Sequence, residues 1–230
     1  MDNTRDRLLE ATKRPALRLL HRTRDGEALL VRLYLEAERQ AERAAPWQPM
    51  LASAPRWLAA WLDQHRADER RHADLFARRL HELTGETGEA RAGFDAISRR
   101  KLRSLNGLVV RFTPRFAAGA VVPALAIAWR MEEMGVRVFA RHVDVLTGDC
   151  PEAPLLPVLR EVLADERRHA RACRRSLERL VGAHERATLA SLVERIDVIE
   201  RRLGVVGALA LWTCGGLLWI RAKLVSSISR

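Results

Sequence analysis

The heptapeptide ADERRHA occurs twice in the chain, at residues 67–73 and again at 164–170. Each copy contains Glu-x-x-His, and on a helix positions i and i+3 share a face. Glu69 and His72 therefore point one way, as do Glu166 and His169. Their neighbours on those faces are apolar: Trp61, Leu62 and Phe76 around the first pair, Leu159, Val162 and Leu177 around the second. A carboxylate and an imidazole are thus aimed twice at an apolar interior, where each is costly unless paired or bound to a metal. A duplicated solvent-facing charged surface is the competing reading, but it would turn those apolar neighbours out into water. An aspartate precedes each glutamate, and a metal-bound imidazole needs its other N–H held, usually by a carboxylate. Across a roughly two-fold bundle, Asp68 would hold His169 and Asp165 would hold His72.

The remaining pattern is helical throughout. Hydrophobic residues make up 48% of the 230 residues. Ala, Leu, Arg and Glu recur and β-branched alternation is scarce, so the chain reads as all-α. A short amphipathic stretch, RLLEATKRPALRLL, comes first. A helix follows from about Glu27 to Ala45, with Leu30, Val31, Tyr34, Ala37 and Ala41 on one stripe, and Pro46 and Pro49 stop it. Ser53 and Pro55 open a second helix to about Leu83, and GETGEARAG forms a loop. A third helix runs from about Ala117 to Leu146 and stops at Thr147-Gly148-Asp149. A fourth runs from near Pro154 to about Val181, and a fifth covers roughly 184–202. The whole is one domain, residues 1–230, with its core bundle over about 26–182 and C-terminal helices over about 184–225.

Two further glutamates are needed to complete a metal-binding set. The third helix offers Glu132 and Glu133. Residues three, four and seven places from Glu132 are apolar or small (Leu125, Ala128, Trp129, Gly135, Val136, Phe139), whereas Glu133 has Arg130 and Arg137 beside it. Glu132 is the inward one. The first long helix offers Glu27, Glu36 and Glu38. Counting rise from the hairpin turn brings Glu27, about 27 Å from its helix end, level with Glu69 and leaves Glu38 more than about 10 Å short. Glu27 also shares the stripe of Val31, Tyr34 and Ala41, so Glu27 is chosen and Glu38 held in reserve. The metal ligands are then Glu27, Glu69, His72, Glu132, Glu166 and His169. Four carboxylates balance two divalent ions, and oxygen with imidazole donors suits iron, or manganese as the alternative, better than zinc.

Other features concern partners. The formal net charge is +11, which draws the chain to anionic surfaces. Residues 91–115 hold seven basic residues and one acid, interleaved with Phe94, Ile97, Leu102, Leu105, Leu108 and Val109. They form either a solvated crossover or a basic amphipathic segment lying on an anionic membrane surface. No nucleic-acid motif is present and stacking aromatics are few. Residues 203–220 are 18 uncharged positions in a row. This is the threshold for a membrane span, but we read it as a buried or half-buried helix at the membrane surface. Three scattered cysteines and no apolar leader segment near the start point to the cytoplasm, peripheral on the inner face of the cell membrane.

The set of two Glu-x-x-His helices plus two glutamate helices resembles the ferritin-like di-iron superfamily, whose fold is a four-helix bundle. Within it, the chain is most similar to the demethoxyubiquinone hydroxylases. Gly26-Glu27 followed by Arg32-Leu33-Tyr34 looks like that family's first ligand helix, MEEMG like its paired glutamates, and CGGLLWIRAKL like its closing helix. The resemblance covers most of the chain. The hairpin between the first two long helices is about a dozen residues longer here, the crossover is basic, and Arg137 and Val138 stand where the family has a histidine. The resemblance implies an O₂-dependent di-iron monooxygenase, with two iron ions, that hydroxylates a lipophilic quinone at a membrane using NADH-derived electrons. A homodimer is left open. Tyr34, the only tyrosine, is a candidate electron or proton relay, with a packed core tyrosine the plainer reading; Cys173 is a candidate for the pocket lining, with the same plainer reading. The alternatives are a soluble ferritin- or rubrerythrin-like iron-binding or peroxide-reducing protein, without rubredoxin-type cysteine pairs, and a non-enzymatic helical scaffold.

Overall fold

The structure is a computed structural model that describes residues 3–43, 54–85 and 96–228. The described residues form seven α-helices and no strands: α1 Asn3–Leu20, α2 Arg24–Arg43, α3 Arg56–Thr84, α4 Ala96–Phe112, α5 Val121–Asp149, α6 Leu155–Leu180 and α7 Arg186–Ile228, with short 3₁₀ turns at Thr113–Arg115 and Ala183–Glu185. The expected stops at Pro46 and Pro49, the cap at Ser53 and most of the loop after Gly85 lie outside the described residues, as do the side chains of Phe94 and Ile97.

Helix α2 packs along α3 and α5 along α6, and the two pairs meet through α3 and α6. The apolar core is divided. One cluster gathers Leu30, Val31 and Leu35 of α2, Phe76 and Leu80 of α3, Phe139 and Leu146 of α5, and Leu155 and Leu159 of α6. The other gathers Leu58 of α3, Leu105 and Phe112 of α4, Val122 and Ile127 of α5, Cys173 and Leu177 of α6, and Leu192 and Ile196 of α7. The Glu-x-x-His segments fall between the two clusters on both α3 and α6. A polar layer is therefore sandwiched between two oily ones.

Three boundaries differ from the sequence reading. Thr147-Gly148-Asp149 lies inside α5 rather than stopping it, and Cys150 N–H closes the helix on Leu146 O at 2.8 Å. The crossover contains helix α4, whose apolar residues Leu105, Leu108 and Phe112 are buried inside the protein; Arg99, Arg100, Arg103 and Arg111 face out, together with Leu102 (40% exposed) and Val110 (77%). Most of its amphipathic pattern is thus satisfied by the protein's own core. Finally, the fifth helix and the apolar segment are one continuous 43-residue helix, α7.

Helix α7 has two different halves. The first is anchored by Leu192 and Ile196 in the core, by Asp197 on Arg130 at 2.7 Å and by Glu200 on Lys101 at 2.7 Å. The second lies against α1, with Gly215 facing the Leu19 and Leu20 side chains. Its opposite side is open: Val205, Leu209, Trp212, Leu217, Ile220 and Leu224 are between 46% and 63% exposed. The segment is thus half-buried, one side on α1 and the other an apolar face turned outward.

Candidate metal centre

The buried donors form two groups. Glu38, Glu69, His72 and Glu166 make one; His65, Glu69, Glu132 and His169 make the other, and Glu69 belongs to both. The donor atoms within each group lie within 4.8 Å of one another. His72 Nδ1 is 3.4 Å from Glu38 Oε2 and 3.9 Å from Glu166 Oε1. His169 Nδ1 is 3.5 Å from both Glu69 Oε1 and Glu132 Oε2. Four helices supply the set, α2 giving Glu38, α3 giving His65, Glu69 and His72, α5 giving Glu132, and α6 giving Glu166 and His169.

The repeated heptapeptide explains how the imidazoles are aimed. His72 Nε2 faces Asp165 Oδ2 at 3.2 Å, and His169 Nε2 faces Asp68 Oδ2 at 3.1 Å, each aspartate on the opposite helix. Arg71 and Arg168 occupy the fifth place of each copy and reach both aspartates. Arg71 donates to Asp68 at 2.7 Å and to Asp165; Arg168 donates to Asp165 at 2.5 Å and to Asp68 at 2.6 Å. Burial works against ionised aspartates, but the hydrogen bonds from the histidines and these arginines outweigh it and hold both carboxyls below their ordinary range. Ionised acceptors fix the proton of each ring on Nε2. The Nδ1 lone pairs are thereby turned toward the carboxylate groups.

Those lone pairs meet no hydrogen-bond donor. His72 Nδ1, His169 Nδ1, Glu69 Oε1 and Glu132 Oε2 are all fully buried without a hydrogen-bond partner. Four orphaned donor atoms converging from three helices are what a cation requires and what a folded chain otherwise avoids. The carboxylates show the same deficit. Burial pushes Glu38 up to about 8, with Glu132 adding repulsion. Burial and the neighbouring carboxylates push Glu69 and Glu166 well above their ordinary value. Glu132 alone goes down, to about 2, because the adjacent imidazoles of His169 and His65 overcome its burial. These groups could hold a metal ion, and oxygen and imidazole donors fit a hard or borderline divalent cation.

The expected ligand Glu27 is not part of the centre. Arg79 donates to Glu27 Oε1 at 3.0 Å and 2.7 Å, and Glu38 takes the place assigned to Glu27. Glu38 lies less than two turns from the end of α2, while His72 is about four turns into α3. Counting both helices from a shared turn therefore misplaced the level. Glu27→Gln is expected to leave metal content unchanged while lowering stability by about 1–2 kcal/mol through the lost ion pair, measured by metal analysis and thermal unfolding.

His65 joins the centre without having been singled out. It stands four residues before Glu69, on the same face, stacked on Trp61 with ring centroids 5.2 Å apart, and its Nε2 is 2.9 Å from Glu132 Oε1. Glu133 pairs outside with Arg130. Cys173 is a fully buried thiol of the second core cluster, its pKa pushed up first by burial.

Gly135 makes room for the centre. A Cβ there would stand 2.1 Å from Glu166 Oε2 and 3.1 Å from its Cδ. Alanine favours a helix over glycine by about 1 kcal/mol, so Gly135→Ala is expected to melt no lower than the parent while binding less metal. Metal analysis beside a melting curve checks this.

No protein-family model, curated protein or solved structure matches the chain.

Proposed function

We propose that the chain is a ferritin-like, O₂-dependent di-iron monooxygenase that hydroxylates a quinone or similar lipophilic aromatic at an anionic membrane surface. The observation that carries the reading is the convergence of four orphaned buried donor atoms on a seven-residue set of carboxylates and imidazoles. Four glutamates balance two ferrous ions, and Glu69 stands where one carboxylate would serve both. Manganese is the alternative metal for the same donors. Bound iron, once reduced, supplies the O₂ chemistry that the side chains lack.

The chain's own contribution is position and dryness. Asp68 and Asp165 orient His169 and His72 and keep their protons on Nε2. The oily layers above and below exclude water from the polar layer. The outward apolar face of α7, flanked by Arg201, Arg202, Arg221 and Lys223, supports a membrane location and a lipophilic substrate. A soluble iron-storage protein has no use for that face. The glutamate of the Gly26-Glu27 pair is occupied by Arg79, so the quinone assignment rests on α7 more than on that pair.

The test begins with metal content of protein purified from iron-supplemented cells, expected at about two irons per chain. A short-chain quinone, NADH with a reductase, and O₂ should then give a product heavier by one oxygen. Iron-free, fully folded protein would overturn the reading. Leu209→Glu with Trp212→Glu is expected to abolish cosedimentation with phosphatidylglycerol vesicles while leaving metal content intact.

A further inference from the structure

A second buried polar cluster lies outside the metal centre. His142 of α5 is completely buried. Its Nδ1 is 2.9 Å from Tyr34 Oη on α2, and its Nε2 is in close contact with Nε2 of His21, in the turn after α1. His21 Nδ1 in turn faces Glu27 Oε2 at 3.9 Å, and Glu27 is held by Arg79. Four side chains from the α1–α2 turn, α2 and α5 thus form a line. Its inner end is Tyr34 and its outer end is the partly exposed Glu27.

The line has a direction. Burial lowers the pKa of both imidazoles, so both rings are neutral. A neutral imidazole has one donor nitrogen and one acceptor. His21 Nδ1 is 3.9 Å from the Glu27 carboxylate, too far for a hydrogen bond but on the side where that charge favours the ring proton, so His21 Nε2 is the acceptor. His142 Nε2 therefore donates to it, His142 Nδ1 accepts, and the Tyr34 hydroxyl donates. The reverse arrangement would set the His21 Nδ1 lone pair against a carboxylate. Every proton in the line points away from Tyr34.

Tyr34 also stands beside the metal layer. It precedes Glu38 by one turn of α2, about 6 Å of rise. Its ring packs on Phe76, centroids 5.4 Å apart, and on Phe139 at 5.1 Å. Phe76 is one turn beyond His72, and Phe139 follows Glu132 on α5. The three rings form the floor of the donor layer.

We propose that Tyr34 is a one-electron donor to the metal pair, with His142 as its proton acceptor and His21 and Glu27 as the proton's way out. The inference rests on the di-iron reading for the electron's destination. In the step, the Tyr34 phenol would give one electron to an oxidised metal pair held by the buried donors, whose summed oxidation state would fall by one. Its Oη proton goes to His142 Nδ1, the His142 Nε2 proton to His21 Nε2, and the His21 Nδ1 proton leaves toward the partly exposed Glu27 carboxylate, across a 3.9 Å gap that must close for the transfer. A neutral phenoxyl radical remains, and one electron from the NADH-linked reductase of the proposed reaction, with one returning proton, restores the phenol. Burial raises the Tyr34 pKa far above neutrality despite the opposing charge of Arg141. The proton therefore leaves only with the electron, and a neutral imidazole in hydrogen-bond contact is the group that can take it.

Tyr34 is the chain's only tyrosine, so a tyrosyl radical has one possible source. The full chain, without metal, is flashed with a ruthenium polypyridyl photo-oxidant and freeze-quenched for electron paramagnetic resonance. Ring-deuterated tyrosine separates its signal from tryptophan radicals. The expected result is a tyrosyl radical at neutral pH that Tyr34→Phe abolishes. In His142→Asn or His21→Leu it forms about a hundredfold more slowly, each variant first shown to keep its helical circular dichroism. His21 is partly exposed, so its variant tests the line without a cavity in the core. In a second arm, iron-loaded reduced protein is exposed to O₂ and the same radical is sought. Unchanged rates in both histidine variants overturn the inference. So does a chain holding about two irons that gives no radical with O₂, a result that leaves the di-iron reading standing. A chain that binds no iron has no electron acceptor, which overturns both.

Discussion

Glu69→Gln is expected to empty both proposed metal positions at once. Glu69 is the one carboxylate common to the two donor groups, with Oε1 3.3 Å from His65 Nε2 and 3.5 Å from His169 Nδ1 on one side and the Glu38 and Glu166 carboxylates on the other. A neutral amide cannot serve two cations as a carboxylate does. Iron is expected to fall from about two per chain to near none, whereas Glu38→Gln and His65→Gln, each confined to one group, should leave about one. Stability moves the other way. Burial and the nearby carboxylates disfavour the charged form of Glu69, so the amide should raise the melting temperature of metal-free protein, by about 1–3 kcal/mol in stability. Metal analysis and paired melting curves check both halves. Undiminished iron in Glu69→Gln would place the ions elsewhere.

Metal-free protein should weaken as pH rises, and metal should reverse the trend. Glu38 titrates near 8, with Glu69 and Glu166 also well above their unfolded values, burial being the first cause in each. A carboxyl whose folded pKa is raised contributes stability in full below its unfolded pKa and loses it as pH climbs through the folded one. Asp68 and Asp165 are shifted down, so their contribution is present above the ordinary carboxylate range and fades in acid. Largely buried, neutral His21 and His142 oppose this below about pH 6.5, because they gain stability as the unfolded imidazoles lose their protons. Stability without metal should therefore fall gently from about pH 5 to 6.5 and by a few kcal/mol from there toward pH 8. Divalent ions displace the glutamate protons, so affinity should rise by about tenfold per pH unit for each proton released. Melting curves from pH 4 to 9, with chelator and with ferrous or manganous ion, test this. A metal-free melting temperature that climbs between pH 5 and 8 would contradict the buried acid layer.

Much of this was legible in the residues. Two identical segments with apolar neighbours settle which faces of α3 and α6 turn inward, and the aspartates' crosswise partners follow from placing those faces together. Glu132 is separable from Glu133 because only one has arginines a turn away. The level of the first ligand was not legible, since rise can be counted only from a turn whose position is known, and α3 begins far beyond the point opposite the end of α2. His65 is invisible to the Glu-x-x-His spacing, because it stands a turn before the motif on the Glu69 face. Arg71 and Arg168 look like solvated surface charges in one dimension; only the meeting of α3 and α6 makes them shared clamps. The change of composition at 203 separates the fifth helix from the apolar segment on paper, but the glycines at 204 and 207 cost a helix only about 1 kcal/mol each, which cooperative extension from both sides absorbs.

Helix α7 also sets a mechanical relation. At about 1.5 Å per residue, its 43 residues make a rod of about 65 Å, roughly twice the thickness of a bilayer's hydrocarbon core. A rod that long cannot be submerged upright, and its first half is already bolted to the bundle by Leu192, Ile196 and two ion pairs. Whatever the second half settles upon fixes the bearing of the whole molecule, as a keel fixes a hull, and leaves the bundle little freedom to turn.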